Sequence, residues 1–543
     1  MLIALLLVAC GEQPPSGSRA PYASGPGGEP GQILRLSYSE TGPAETGPLD
    51  PAVSFDVGAL HLLVRGLTGL DEAMRTVPAI AEAWEVSQEG THITFHLREA
   101  SYSNGEPIVA ADFVYGWRRV LDPRTESGWG YLLADVVGAA DLLALDLDAF
   151  PAADVLEAML TGLGVSAPDQ RTLEVDLVRP AAYFVTVVTA PATAPISESW
   201  ITRPGATEAG AFVSSGPFVL TEWVHDQYRT FEPNPMWWGD PPGLDRVEMR
   251  VLASDEDALA AFRRGEIDVL DLPALPGSED LDALAQPRPG GSLRYIGFDM
   301  LRPGSPTARS SALRRALSLA MDRDELNTVE GLSGPVASGP IPAGVPGHDP
   351  NLMSVFDPIA ARRYLAEALD ELGLTNPGEL RLIFIHGTRF GDGPRYLELQ
   401  WETVLGIDVE RVALEPDQYV ERLFSGRHDY DVAWRGWAAD YPHPHSYLAP
   451  LWGCERLENN YGYCNRAFDE LLDRAARTGD IDSQLALYVE AQRVLVDDLA
   501  ALFLQWPGGY TLVAPWVEGL VLTPMDGFGG SLFLGQVRIL PRN

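Results

Sequence analysis

From about Leu34 onward, the spacing of apolar and polar positions divides this chain into strands and helices. In Thr91-His-Ile-Thr-Phe-His-Leu-Arg98 the apolar residues Ile93, Phe95 and Leu97 fall at every second place, which puts them on one face of an extended strand. Thr172 to Leu177 and Val247 to Val251 repeat that period. A helical period follows Asp357. Asp357 stands as N-cap, Pro358 as first helical residue, Tyr364, Leu365, Ala368, Leu369 and Leu372 as the apolar stripe, and Gly373 past the end. Leu313, Ala316, Leu317, Ala320 and Met321 mark a second stripe. Neither stripe is membrane-spanning, and no fixed-period repeat is visible. The pattern predicts a mixed α/β chain with several sheets.

Tyr430-Asp-Val-Ala-Trp-Arg-Gly-Trp-Ala-Ala-Asp-Tyr441 breaks this regularity. It begins as a buried strand, with β-favouring Tyr430 and Val432, and runs into Gly436, where a missing side chain admits another backbone or a ligand. Trp434, Arg435, Trp437 and Asp440 place two indoles, a cation and a carboxylate close together, a set that can hold a zwitterion. Stacking surfaces and one anion fix a ligand without supplying an acid–base pair, so binding fits better than bond-breaking. The same residues also read as a core strand with two packing tryptophans and a solvated Asp.

Length and composition widen the picture. A chain of 543 residues, 46% hydrophobic and 21% charged, builds large cores and two or three domains. Its net charge of −37 is spread along the sequence and disfavours nucleic acid as a partner. All 39 basic residues are arginines, which excludes Schiff-base catalysis and a phosphate-loop lysine; the codon preference of a high-GC genome accounts for the bias. There is no Gly-x-Ser-x-Gly elbow, no His-Glu-x-x-His and no phosphate loop. Among 76 carboxylates, paired acids carry no glycosidase signal. His443-Pro-His445 reads either as a metal contact in an altered pocket or as a loop beside a binding cleft.

Leu7-Val8-Ala9-Cys10, after the apolar run Leu2 to Val8, resembles a bacterial lipoprotein signal in which Cys10 becomes the acylated N-terminus. The run is too short to span a bilayer, and its missing basic region and short core lead us to expect a start codon upstream. Residues 11–32, rich in Gly, Pro and Ser, read as a flexible tether. Only Cys454 and Cys464 remain. In an exported protein so close a pair reads as one small disulfide loop, while zinc would need more ligands.

Five blocks in order then carry a resemblance. Phe95-His-Leu-Arg98 leads into Tyr102-Ser-Asn-Gly-Glu-Pro-Ile-Val-Ala-Ala-Asp-Phe-Val-Tyr-Gly-Trp-Arg-Arg119 and Asp122-Pro123, with a turn at Asn104-Gly105 and Asp112 where a helix N-cap is expected. Ser215-Gly-Pro-Phe-Val-Leu220 follows with Trp223 and Asn234-Pro-Met-Trp-Trp238, then Ala261-Phe-Arg-Arg-Gly-Glu-Ile-Asp268, then Arg315-Ala-Leu-Ser-Leu-Ala-Met-Asp-Arg323, then the Tyr430–Tyr441 stretch. From about Leu34 to its end the chain resembles the extracytoplasmic solute-binding proteins of peptide-type ABC importers, family 5, and most of all the oligopeptide-binding members.

The resemblance implies a two-lobed periplasmic-binding-protein fold (α/β, type II, cluster C), with an extra domain on the first lobe and a cleft at the hinge. It places lobe I at 33–65, 195–293 and 505–543, the extra domain at 66–194 and lobe II at 294–504. It also implies that Asp440 meets the α-ammonium of a bound peptide, that Trp437 packs on a ligand side chain, and that the Gly436 backbone bonds the peptide as an added strand. Trp129 falls near an aromatic position of the family and reads equally as ordinary packing. Departures are as informative. The family arginine two residues before the glycine is Trp434 here, and Arg435, one place later, points to the opposite face of a strand. A pocket tryptophan is replaced near Pro416, and an aromatic-Asn pair becomes Asp271-Leu272. With no lysine in the chain, a peptide carboxylate would meet an Arg, a His or a backbone site, and Arg395 is one candidate.

The expected function is that of a non-enzymatic, cofactor-free, monomeric lipoprotein of the periplasm or cell envelope. It would take peptides by lobe closure and deliver them to permeases with cytoplasmic ATPases. The alternatives are a receptor for dipeptides, a nickel complex or another small solute, and a sensor or surface protein of the same fold.

Overall fold

In a computed structural model of the chain we describe residues 31–38, 47–145, 152–330, 334–352, 355–386, 392–454, 456, 458–527 and 529–542. Cys10, the leader and the tether up to residue 30 lie outside the described residues.

The strand His92–Leu97 forms as its alternation predicts: Ile93, Phe95 and Leu97 are at most 1% exposed, and the residues between them are half-exposed. It pairs in an antiparallel four-stranded sheet with Ala81–Val86, Thr172–Asp176 and Val165–Ser166. Helix Ala110–Leu121 packs on this sheet, and its Trp117 donates to the Thr193 carbonyl at 2.9 Å and meets the Phe184 ring edge-on. Asp112 is not its N-cap, which is Val109. It sits inside the first turn, and its carboxylate reaches back to accept from the Val109 amide at 2.9 Å, satisfying a donor that the helix leaves orphaned.

A seven-stranded mixed sheet runs in the order Ala285–Arg288, Gly509–Val513, Val269–Leu272, Ile33–Tyr38, Arg246–Val251, Tyr228–Pro233, Phe218–Val224. Only Ile33–Tyr38 pairs in parallel within it, with Arg246–Val251 and Val269–Leu272. A five-stranded sheet follows the order Val409–Leu414, Leu380–Ile385, Val432–Ala438, Ser292–Phe298, Ala501–Gln505. Helices cover both of its faces. Ile296, Phe298, Val432 and Trp434 pack toward Ser311–Leu319, Pro358–Leu372 and Gly393–Leu405, and Tyr295 and Ala433 pack toward Pro444–Trp452, Arg466–Arg477 and Ile481–Asp497. A strand covered twice reads as a continuous apolar run. The central strand starts at Val432, with Tyr430 buried just ahead of it. Helix Pro358–Leu372 ends as read: Asp357 accepts from Ile359 at 3.0 Å and Ala360 at 2.9 Å, and Gly373 takes φ +67°.

The chain passes from the seven- to the five-stranded sheet through residues 289–291 and returns through 506–508. The two crossings touch. A Cβ on Gly290 would stand 1.4 Å from the Pro507 carbonyl oxygen, so only glycine fits. Cys454 and Cys464 form a disulfide.

Candidate functional site

A cavity of about 280 Å³ opens beside these crossings, lined from six separate segments: 54–60, 129–132, 190–192, 291–292, 438–440 and 524–527. Phe55, Leu60, Trp129, Leu132 and Met525 make its walls apolar. Two carboxylates, Asp440 and Asp526, are set into them, and no arginine or histidine stands among the described lining residues.

Asp440 lies just beyond the strand Val432–Ala438, on the cavity wall. Burial raises its carboxyl above the ordinary aspartate value, while the Tyr131 hydroxyl and its own backbone amide, which donate to the ionised form, pull it back. No cation is among these influences. Tyr131, 45% exposed, comes from the short helix Gly130–Leu133, far from Asp440 in sequence, and its hydroxyl donates to Asp440. Asp526 is held by the Thr523 amide at 2.6 Å and the Leu532 amide at 3.2 Å, and burial pushes it up to about 6. Trp129 is fixed by an Nε1–H bond to the Ser54 carbonyl at 3.0 Å and by Phe55, with ring centroids 4.9 Å apart.

The other expected ligand residues are dispersed. Trp434 is 1% exposed and packs so closely on helix Gly393–Leu405 that a Cβ on Gly393 would come within 2.6 Å of its ring. Arg435 is buried on the opposite face, 5.5 Å over the Tyr461 ring and 3.4 Å from Asn460 Oδ1. Neither lines the cavity, because both faces of this strand are covered by helices. Trp437 is half-buried on the Arg435 face, donating to the Ser446 carbonyl at 2.8 Å. Gly436 is exposed, two residues from lining residue Ala438. Arg395 is exposed in the first turn of helix Gly393–Leu405, outside the lining. Asp271 is bound to Thr511 Oγ1 and the Gly529 amide, and Pro416 opens helix Pro416–Phe424.

His443 caps helix Pro444–Trp452 and bonds Gln484 at 2.8 Å, and His445 stacks on Tyr183 at 3.4 Å and bonds Tyr441 at 2.9 Å. Both rings are consumed in packing between the four- and five-stranded regions, outside the cavity lining, and burial lowers both, His443 to about 4. Among the described residues the one group with metal-ligand geometry is Cys454, Cys464 and Asp469, whose thiols the disulfide has already used.

The sequence reading missed most of the lining, the apolar walls Phe55, Leu60, Leu132 and Met525 and the polar groups Asp526 and Ser292, as well as Tyr131, which donates to Asp440. The aromatic-glycine run Gly128-Trp-Gly-Tyr131 is the one local signal that points to any of them.

A sequence model described as "Bacterial extracellular solute-binding proteins, family 5 Middle" matches residues 75–459. The oligopeptide-binding protein OppA of Bacillus subtilis is 26% identical over 521 residues, covering 92% of this chain and 91% of its own length. The probable deoxycholate-binding periplasmic protein YgiS of Escherichia coli is 29% identical, covering 92% of each. The murein tripeptide-binding protein MppA, in its unliganded open form, superposes with a TM-score of 0.80 at 23% identity over 94% of this chain and 98% of its own. The architecture is that of the two-lobed α/β periplasmic binding proteins.

Proposed function

The chain belongs to the bacterial extracellular solute-binding proteins of family 5, which are binding proteins and not enzymes, and from that premise we propose that it captures peptides by their free amino end. Asp440 carries the reading. A carboxylate drawn out of water, with a tyrosine hydroxyl as its side-chain partner and no cation among the groups that shift it, is matched by a ligand ammonium, which restores the charge that burial makes costly. From there an extended peptide runs toward Gly436, whose uncovered backbone offers the hydrogen bonds of an added strand. Such bonds are common to every sequence, and the apolar walls take side chains of different shape.

The lobes close about the two crossings at 289–291 and 506–508, a rigid-body motion that few residues need absorb. The three larger sheets support units at 33–65 with 195–293 and 505–543, at 66–194, and at 294–504. The protein works as a monomer, tethered to the envelope through a lipid on Cys10, and hands its ligand to importer permeases driven by cytoplasmic ATPases. No described helix is long and apolar enough to cross a membrane.

A cavity of about 280 Å³ with mostly apolar walls also favours a second reading, a dipeptide or other small solute. Native mass spectrometry of the protein lacking its first 31 residues, followed by denaturation, separates the two. A ladder of released peptides a few residues long supports peptide capture; a single small solute, or no ligand and no thermal shift across a peptide library, overturns it.

A further inference from the structure

In the ladder between Ser292–Phe298 and Val432–Ala438, Ser292 stands opposite Ala438 and Arg294 opposite Gly436. Opposed residues of an antiparallel pair share a face, and every second residue returns to it. Ser292 and Ala438 line the cavity, so Arg294 and Gly436 are the next pair on the cavity side; the pair after, Ile296 and Trp434, is core. Space is open over Gly436: a Cβ there would meet nothing nearer than the Leu293 carbonyl oxygen, at 3.8 Å. The cavity floor therefore continues by one pair, and a guanidinium 12% exposed stands at its end.

That guanidinium is engaged by Glu330, Nη1 to Oε2 at 3.0 Å, and Glu330 is only 2% exposed. Its second oxygen, Oε1, is buried and makes no hydrogen bond, and neither does the side-chain amide of Gln505, which faces Arg294 on the other neighbouring strand. Buried polar atoms are rarely left so: the unpartnered Gln505 Nε2–H is a donor beside the guanidinium that an incoming anion can use, while Glu330 Oε1 is an acceptor that tolerates an anion nearby only once it carries a proton. Burial lifts the Glu330 carboxyl to about 7, so it takes up a proton easily when another anion reaches Arg294.

The geometry points to Arg294 as the group that receives the terminal carboxylate of a peptide whose amine rests on Asp440. This assignment depends on the amine-binding reading above. Gly436 lies four residues from Asp440, and because the strand ends at Ala438 their separation is at most about 13 Å, the fully extended limit at about 3.3 Å per residue, which an extended peptide of three to about four residues covers. Tri- and tetrapeptides thus reach both charges, whereas a dipeptide reaches one.

The test is calorimetry on ligand-stripped protein with tetra-alanine, its C-terminal amide and its N-acetyl form. The amide binds at least about tenfold more weakly than the acid, the scale of a charge-assisted hydrogen bond. Arg294→Gln binds acid and amide alike and still rejects the acetylated peptide, while Glu330→Gln keeps the preference for the acid. If Arg294→Gln does not fold, the wild-type comparison decides, supported by the Arg294→Met/Glu330→Met pair, which leaves no buried charge unmatched. Wild type that binds acid and amide equally but discriminates against acetylation overturns the Arg294 assignment and leaves the amine reading standing. Binding of none of the three removes both.

Discussion

Asp431 and Asp268, in the cores of the five- and seven-stranded regions, are at most 2% exposed, and each is met by arginine. Asp431 accepts from Arg302, from Ser305 Oγ at 2.7 Å and from the Arg381 amide at 2.9 Å. Asp268 accepts from Trp516 and Arg542, both at 2.8 Å, and from the Arg35 amide at 2.9 Å. Asp440, in the cleft, has the Tyr131 hydroxyl and its own amide, and no cation among the groups that shift it. Arginine meets these two core anions, while the cavity carboxylates Asp440 and Asp526 have no cation among the groups that shift them; Asp526 is held by two backbone amides, and Asp440 by a hydroxyl from another segment. A core carboxylate is settled by the protein at folding; on the proposed reading a cleft carboxylate is settled by the ligand, which is how burial becomes affinity.

The largest effect that sharpens this contrast belongs to the core. Asp431→Ala leaves Arg302 and Ser305 without their anion and lowers stability by about 3–5 kcal/mol, read from urea unfolding followed by tryptophan fluorescence. A loss below about 1 kcal/mol would erase the distinction between core and cleft.

Glu330 is the intermediate case, paired through one oxygen and bare at the other. Its pKa stands near 7 in the folded protein against 4.5 ordinarily, so between those values the native state holds more protons than the unfolded chain. Stability therefore falls as pH rises through that window. Glu330→Gln removes that part of the slope, so the stability difference between variant and wild type shifts toward the variant by up to about 3 kcal/mol between pH 4.5 and 7.5. A difference that does not change with pH would mean that the Arg294 pair compensates its own burial.

Arg395 sets the lower end of the scale. Exposed and outside the cavity, Arg395→Ala changes stability by no more than about 0.5 kcal/mol and leaves peptide affinity as it was. A tenfold loss of affinity would relocate the carboxylate site away from Arg294.

Periodicity made the elements legible because their causes are local. Ile93, Phe95 and Leu97 need only a period of two, and helix Pro358–Leu372 needs only its cap, proline and glycine. The candidate site is non-local, and this is why less of it could be read. Its lining comes from six segments, and nothing in the spacing of residues brings Tyr131 to Asp440 or Asp526 to the same cavity. Trp434 and Arg435 show the same limit at closer range. Alternation says that they face opposite sides, but only the helices packed on those sides show that both sides are core. The helix start before Asp112 misled for a simpler reason, since a carboxylate at the cap and one inside the first turn look alike in sequence and differ only in which amide they bind.

The most direct test of the central claim is the affinity of the wild type and of Asp440→Asn for one peptide with a free and with an acetylated amine, measured by calorimetry across pH. The wild type binds the free amine at least about tenfold more tightly. That advantage shrinks as pH falls through the raised Asp440 pKa, above the ordinary 3.8, because only the ionised carboxylate holds the ammonium. Asp440→Asn loses the advantage at every pH with its unfolding midpoint intact. Equal affinity of the wild type for the free and the acetylated peptide would contradict the claim.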